Sequence, residues 1–206
     1  MSVNFYQSDF EDFIEVIGRE INGFCKSLKV EDFFHALHII QDSERKGGRV
    51  HVTGIGKPGH VSGYISSLLS STGTPAYTLH GTEAVHGSAG QVVPGDVVIA
   101  ISNSGETAEL KSTVMTVKNN GAYIIGVSGK KDSWIAKVSD AFLYAGVSEE
   151  GGPLNRAPRA SILAEIIVLQ ALSVLLQCSK GLTPSQYVKW HPGGMLGILR
   201  DDEVKV

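Results

Sequence analysis

Val97-Val98-Ile99-Ala100-Ile101-Ser102-Asn103-Ser104-Gly105-Glu106-Thr107-Ala108-Glu109-Leu110 opens as an unbroken apolar, β-branched run. That is the pattern of a strand buried on both faces. Ser102-Asn103-Ser104-Gly105 breaks it as a turn, and Glu106 onward reads as a helix start with a hydroxyl cap and an acidic first turn. A buried strand that feeds straight into a helix aims several backbone N–H groups, and the positive helix end, at one point. Ser102, Asn103, Ser104 and Thr107 surround that point with uncharged donors, a set suited to phosphate. The same residues also make an ordinary capped turn, because Ser and Thr are favoured there in any case.

Outward from this stretch the period of the chain sets the class. Strands at 49–54, 75–80, 97–102, 123–128 and 141–145 alternate with helices at 60–71, up to about 119, 134–137 and 159–178. This predicts an α/β protein: a three-layer sandwich with a five-stranded parallel sheet flanked by helices, and ligands at the carboxyl ends of the strands. Two helical patterns, 8–26 and 31–46, precede the first strand; the first carries Phe10, Phe13, Ile14, Ile17, Ile21 and Phe24 at helical spacing. We take 1–48 as helices packing on the core and on another subunit, 49–200 as the α/β unit and 201–206 as a tail, a single domain overall.

Composition excludes several classes. A net charge of -3 over 206 residues, with no Lys/Arg run, leaves no basic field for nucleic acid. The apolar stretches read as too short to cross a membrane, and the polar, acidic start is unlike a signal peptide. Cys25 and Cys178 lie far apart, without metal-ligand spacing and in apolar helical patterns, which predicts buried reduced thiols in a cytoplasmic protein.

Other candidate groups gather at the same strand ends. Gly54-Ile55-Gly56-Lys57-Pro58-Gly59 follows a strand and precedes a helix, but no acid for a ribose stands near the end of the second strand, and no Gly-Lys-Ser/Thr marks a P-loop. The loop reads as a close backbone approach to a small ligand, with Gly56 beside it and Lys57 as a point charge, or as a tight turn with a solvated lysine. Val147 to Asn155 brings Glu149 and Glu150, one of them a possible general base, or both a solvated acidic loop. His86-Gly87 and Trp190-His191-Pro192-Gly193-Gly194 place imidazoles on an insert and on a glycine-rich tail; lone histidines are usually structural or exposed, yet they titrate where sugar proton transfer needs acid and base.

Taken together, Gly54 to Lys57, Ser71-Thr72-Gly73-Thr74-Pro75-Ala76, Glu83-Ala84 with His86-Gly87, Ser102 to Thr107 and His191-Pro192-Gly193-Gly194 resemble, in order and spacing, the arabinose-5-phosphate isomerases of the sugar-isomerase (SIS) domain family over residues 45–200. The resemblance implies interconversion of D-arabinose 5-phosphate and D-ribulose 5-phosphate through a cis-enediol, without metal or organic cofactor. It places the phosphate at Ser102, Asn103, Ser104 and Thr107, and catalysis at Lys57, His86, Glu109, Glu150 and His191. It further implies a homotetramer with shared active sites, in which His86 or His191 enters a neighbour's site, and a supply of sugar for Kdo, lipopolysaccharide or capsule.

The chain also departs from that family. Pro58 stands in place of serine, Glu150-Gly151-Gly152-Pro153 replaces Glu-Ala-Cys-Pro, and a hydroxyl-rich helix start has become Arg159-Ala160-Ser161-Ile162. Arg159 could serve as a replacement phosphate clamp, or the substrate could be another sugar phosphate. Many members continue into a pair of CBS modules; with Val206 last, nucleotide-type regulation through them is expected to be absent. The rival from another class is a non-catalytic sugar-phosphate-binding module, which needs the hydroxyl crown but not Glu150, His86 and His191 together.

Overall fold

The computed structural model of the chain describes residues 4–204, with side chains from Tyr6 onward. In order the elements are α1 (Asn4–Ser27), α2 (Phe34–Arg45), β1 (Val50–Gly54), α3 (Lys57–Ser71), β2 (Ala76–Thr78), β3 (Val97–Ile101), α4 (Ala108–Asn119), β4 (Tyr123–Ser128), α5 (Trp134–Val138), β5 (Ala141–Tyr144), α6 (Ala160–Lys180) and α7 (Pro184–Trp190). Short 3-10 turns at Glu83–His86 and Ser88–Gln91 bridge β2 to β3. The sheet runs β2-β1-β3-β4-β5, and every neighbouring pair is parallel.

Side chains on a strand alternate between faces, and here each face has its own core. Val50, Val52, Ile99, Ile101, Ile125 and Val127 pack against α2, α3 and α6 through Ile40, Ile65, Leu69 and Leu172. Val98, Ala100 and Ile124 pack against Leu110, Val114 and Val117 of α4 and Ile135 of α5. All five residues of β3 are buried, as its sequence pattern predicts. Register finishes the layout: Val50 pairs with Val97 and Gly54 with Ile101, so β1 and β3 end level and their two turns stand side by side.

The amino edge of the sheet is locked by two polar hubs. Asp96 accepts the backbone N–H groups of Arg49 (2.9 Å) and Val93 (3.0 Å) and lies 3.1 Å from His51 Nε2. Lys180, at the end of α6, donates to Glu44 Oε1 at 2.6 Å and to Gly73 O and Thr74 Oγ1 at 2.7 Å.

Several expectations are corrected. Helix α4 begins at Ala108 rather than Glu106, because the Glu106 carboxylate turns to the backbone N–H of Trp134 (2.7 Å) and to Lys111 instead of opening the helix. Helix α7 stands where only a glycine-rich tail was expected; Thr183 caps it by accepting the N–H of Gln186, and Pro184 occupies its first turn. Cys25 and Cys178 are exposed and free rather than buried. Cys25 follows the buried Phe24 by one residue, about 100° around α1, and Cys178 lies about 200° around α6 from the buried Leu176, so each falls off its helix's buried stripe. By length and composition α6, at 21 residues, could cross a membrane, contrary to the sequence reading; in the fold its Leu169, Leu172 and Leu176 are core residues.

Candidate active site

The turn after β3 is built around glycine. Gly105 sits at φ +67°, where a Cβ would collide with Ser133, the N-cap of α5, and come within 2.9 Å of Ile135 Cγ2. Its N–H donates to both Ser102 Oγ (3.1 Å) and Ser102 O (3.0 Å), and Ser102 Oγ lies 3.1 Å from Thr107 Oγ1. The buried Ser102 hydroxyl therefore braces the turn. Asn103 is tied down by its main chain, whose carbonyl accepts the N–H of Gly129 at 3.0 Å and the hydroxyl of Ser128 at 3.1 Å. Ser104 is exposed and accepts the N–H of Glu106 at 3.2 Å.

Thr107 is the N-cap of α4, yet its side chain makes no capping bond. The first N–H groups of an α-helix have no partner within the helix, and here no cap takes them. The positive end of α4, rimmed by hydroxyls, is thus left without a side-chain cap. Glu109 follows in the first turn, exposed beside that end.

Lys57 follows β1, the neighbour of β3, and Glu150 follows β5, two strands away, so both lie beyond the carboxyl ends of the parallel sheet. Lys57 is the first residue of α3, directly after Gly56 at φ +66°. No acid stands in that first turn, and a cation at a positive helix end is unfavourable for folding, so its placement points to a use outside the fold. Gly54, Gly56 and Gly59 do hold the spacing of a dinucleotide fingerprint. The cause is packing, since a Cβ on Gly54 would lie 2.7 Å from the Pro58 carbonyl carbon, and one on Gly59 would lie 3.0 Å from Gly54 O.

Glu150 lies in the loop from β5 to α6. Its Oε2 accepts the N–H groups of Arg159 (2.7 Å) and Ser161 (3.1 Å), so a carboxylate occupies the positive end of α6. Asn155 Oδ1 accepts the N–H groups of Glu150 (2.6 Å) and Gly151 (3.0 Å). From outside, α1 braces the loop: Glu20 accepts the Ser148 N–H at 2.6 Å and Arg19 bonds Glu149 at 2.8 Å. Arg159 belongs to this bracing, with its guanidinium on Gly151 O (3.0 Å) and 5.8 Å over the Phe13 ring.

The histidines are placed differently. His86 ends the turn at Glu83–His86 and is exposed; the insert that carries it is pinned to α4 by the Thr113 hydroxyl on Gly81 O. His191 follows α7 and stacks on Tyr187, centroids 4.0 Å apart, with Nδ1 2.8 Å from Tyr187 O. That carbonyl requires the proton on Nδ1 and leaves Nε2 as the basic nitrogen. Trp190 packs on Gly73, in the turn after α3, so α7 sits at the amino edge, and within one chain His191 is not brought to Lys57 and Glu150. A hollow of about 580 Å³ lies there too, walled by Leu68, Tyr187, Val188 and Leu196, and none of the candidate site residues lines it. Among the described residues no cluster of three or more His, Cys, Asp or Glu is placed to hold a metal ion.

Glu165 is the residue that sequence reading passed over. It is wholly buried, neither oxygen has a hydrogen-bond partner, and burial first, then the nearby charge of Glu150, pushes its carboxyl from the usual 4.5 up to about 8. The signal was present as a lone acid inside the apolar run Ile162-Leu163-Ala164-Glu165-Ile166-Ile167.

Comparison with known proteins agrees with this geometry. The SIS domain family matches residues 45–175. Arabinose 5-phosphate isomerase KdsD of Pseudomonas aeruginosa is 39% identical over 167 residues, covering 81% of this chain and 50% of KdsD. Arabinose 5-phosphate isomerase KpsF of Escherichia coli is 35% identical over 180 residues, covering 87% of this chain and 56% of KpsF. The chain thus spans about half the length of these curated relatives. The structure of E. coli CFT073 c3406 in complex with arabinose 5-phosphate superposes with a TM-score of 0.84 at 31% identity, covering 93% of this chain and all of that one. Fold, edge geometry and sequence agree that the chain belongs to the SIS domain family.

Proposed function

We propose that the protein is an aldose–ketose isomerase that interconverts D-arabinose 5-phosphate and D-ribulose 5-phosphate. The observation that carries this reading is the uncapped, hydroxyl-rimmed N-terminus of α4 with Lys57 and Glu150 at the same sheet edge. Two relatives over most of the chain bear the name of that activity, and the c3406 structure holds arabinose 5-phosphate. The helix end and the hydroxyls of Ser104 and Thr107 take the phosphate, with Ser102 and Asn103 setting the turn beneath them. Glu150 removes the proton from C2 of the aldose; the electron pair forms the C1–C2 double bond, and O1 takes a proton to give the cis-enediol. Return of the proton to C1, with loss of the O2 proton, yields the ketose. Lys57 stabilises the negative charge that develops on the enediolate oxygens, and Glu109 and His86 orient the pair.

His191 opens the sugar ring or moves the hydroxyl proton. Since α7 holds it at the amino edge of its own sheet, it acts in a neighbouring subunit, within a cytoplasmic homotetramer that supplies sugar for Kdo, lipopolysaccharide or capsule. Mixing an inactive Glu150→Gln chain with an inactive His191→Ala chain is then expected to restore activity in hybrids, measured as arabinose 5-phosphate formed after subunit exchange. Hybrids as inactive as either parent would place His191 outside the shared site.

The direct test of the reaction uses deuterated water. Incubation with ribulose 5-phosphate is expected to give arabinose 5-phosphate labelled at C2, read by mass spectrometry, with hexose and heptose phosphates giving no labelled product. Binding of the sugar phosphate without any label would favour a non-catalytic module instead.

A further inference from the structure

Helix α6 presents two backbone N–H groups to Glu150, those of Arg159 and Ser161. Four residues on from Ser161, and so on the same helix face, is Glu165. Both side chains are fully buried, and neither Ser161 Oγ nor either Glu165 oxygen has a hydrogen-bond partner. Native folds rarely leave buried polar groups unmatched, so these three atoms call for a reason. A protonated carboxyl offers a donor and a hydroxyl an acceptor, so the two groups on this face are complementary. Ser161 thus stands between two carboxyls, its N–H on Glu150 and its side chain on the face of Glu165.

Other charges around α6 are otherwise engaged or face solvent. Arg19 and Glu20 of α1 bond Glu149 and the Ser148 N–H, and the remaining described acids of α1 are exposed. Tyr64 of α3 bonds Gln170, while Lys57 and His60 are exposed. Glu44 of α2 bonds Lys180 at the far end, and His35, His38 and Asp42 of α2 are exposed. Arg159 is turned to Gly151 O. Burial raises the Glu165 carboxyl first, and the nearby charge of Glu150 adds to it.

We propose that Glu165 is a positioning residue for the isomerisation: a carboxyl held behind Ser161 whose proton keeps Glu150 the sole anion at the α6 N-terminus. This rests on the isomerase reading with Glu150 as base. With Glu165 pushed up to about 8 by burial first and the charge of Glu150 second, its proton is retained at neutral pH and no second charge stands behind the base. Above that range the proton leaves, and a second negative charge appears behind the base. It opposes the charge that develops on the enediolate and disturbs the seat of Glu150.

The test is the pH dependence of kcat/KM, from pH 6 to 10, for the wild type and Glu165→Gln, which is neutral throughout. Wild-type kcat/KM is expected to fall on the alkaline side around pH 8. The variant should hold its plateau at least one unit higher, so that the ratio of variant to wild type rises about tenfold between pH 7 and pH 9. Thermal unfolding without substrate gives an independent reading of the same group. The folded value lies above the unfolded one, so wild-type stability relative to the variant is lost as pH rises from about 4.5 to about 8, and the Tm gap should widen across that window. If the Gln variant does not fold, Glu165→Met, neutral and of similar length, makes the same comparison. Superposed pH profiles from active proteins would overturn the role of Glu165 alone, whereas a wild type that turns over no arabinose 5-phosphate at any pH overturns the isomerase reading and this inference with it.

Discussion

Replacing Glu150 by Gln is expected to lower kcat for arabinose 5-phosphate by about 10² to 10⁴-fold, the usual contribution of a general base, while the sugar phosphate still binds. On the proposed mechanism the two effects separate, because Glu150 is a cap as well as the base. Its Oε2 accepts the N–H groups of Arg159 and Ser161 at the head of α6, and the amide oxygen of Gln can accept both. The loop is held besides by Asn155, Glu20 and Arg19, so it should keep its shape. What Gln cannot do is take a proton from carbon at neutral pH. Steady-state turnover and calorimetric binding, measured on the same preparation, distinguish the roles. Retained turnover would remove Glu150 from the chemistry and leave it a cap. Glu150→Ala is the poorer test, since losing a cap costs about 1 kcal/mol and confounds fold with function.

Gly105→Ala is expected to destabilise the protein by about 2–5 kcal/mol, from adding a left-handed backbone penalty of ~1–2 kcal/mol to an overpacking cost of ~1–3 kcal/mol. At φ +67° an Ala is strained whatever its surroundings, and here the new methyl meets Ser133 and Ile135 of α5. Those residues are fixed: Ser133 is buried with its hydroxyl on Lys130 O at 2.7 Å, and Ile135 is buried and donates its N–H to Gly105 O at 3.2 Å. The turn has to move, and with it the seat of Ser104 and the N-terminus of α4. Chemical denaturation should show a lower midpoint, and affinity for the sugar phosphate should drop in whatever fraction folds. An unchanged midpoint would mean that α5 yields and the turn is not held as described.

Periodicity made the sheet legible. The pattern gives β4 residue for residue and β3 to within one residue at its end, because short apolar runs bounded by turn residues have few other fates in an α/β chain. Helix starts were less legible, since they depend on where a side chain finds its partner: Glu106 has the composition of a first turn but bonds across to α5. In the site, Ser104, Thr107, Lys57 and Glu150 come to one edge because each follows, or opens the helix after, a strand of the parallel sheet. His191 could not be placed from sequence, because nothing before it fixes the direction in which α7 leaves α6. Ser102 looked like a ligand donor and its hydroxyl serves the turn. Glu165 escaped notice because an acid among leucines and isoleucines was averaged into the stripe around it.

The amino-edge hubs bear on how such a protein diversifies. Asp96 and Lys180 grip mostly main-chain atoms or residues flanking the strand beginnings, remote from the turns at the carboxyl edge. Foundation and business end are thus anchored separately. A lineage can exchange residues in the loops after β1, β3 and β5 without first loosening the knots that keep the sheet assembled.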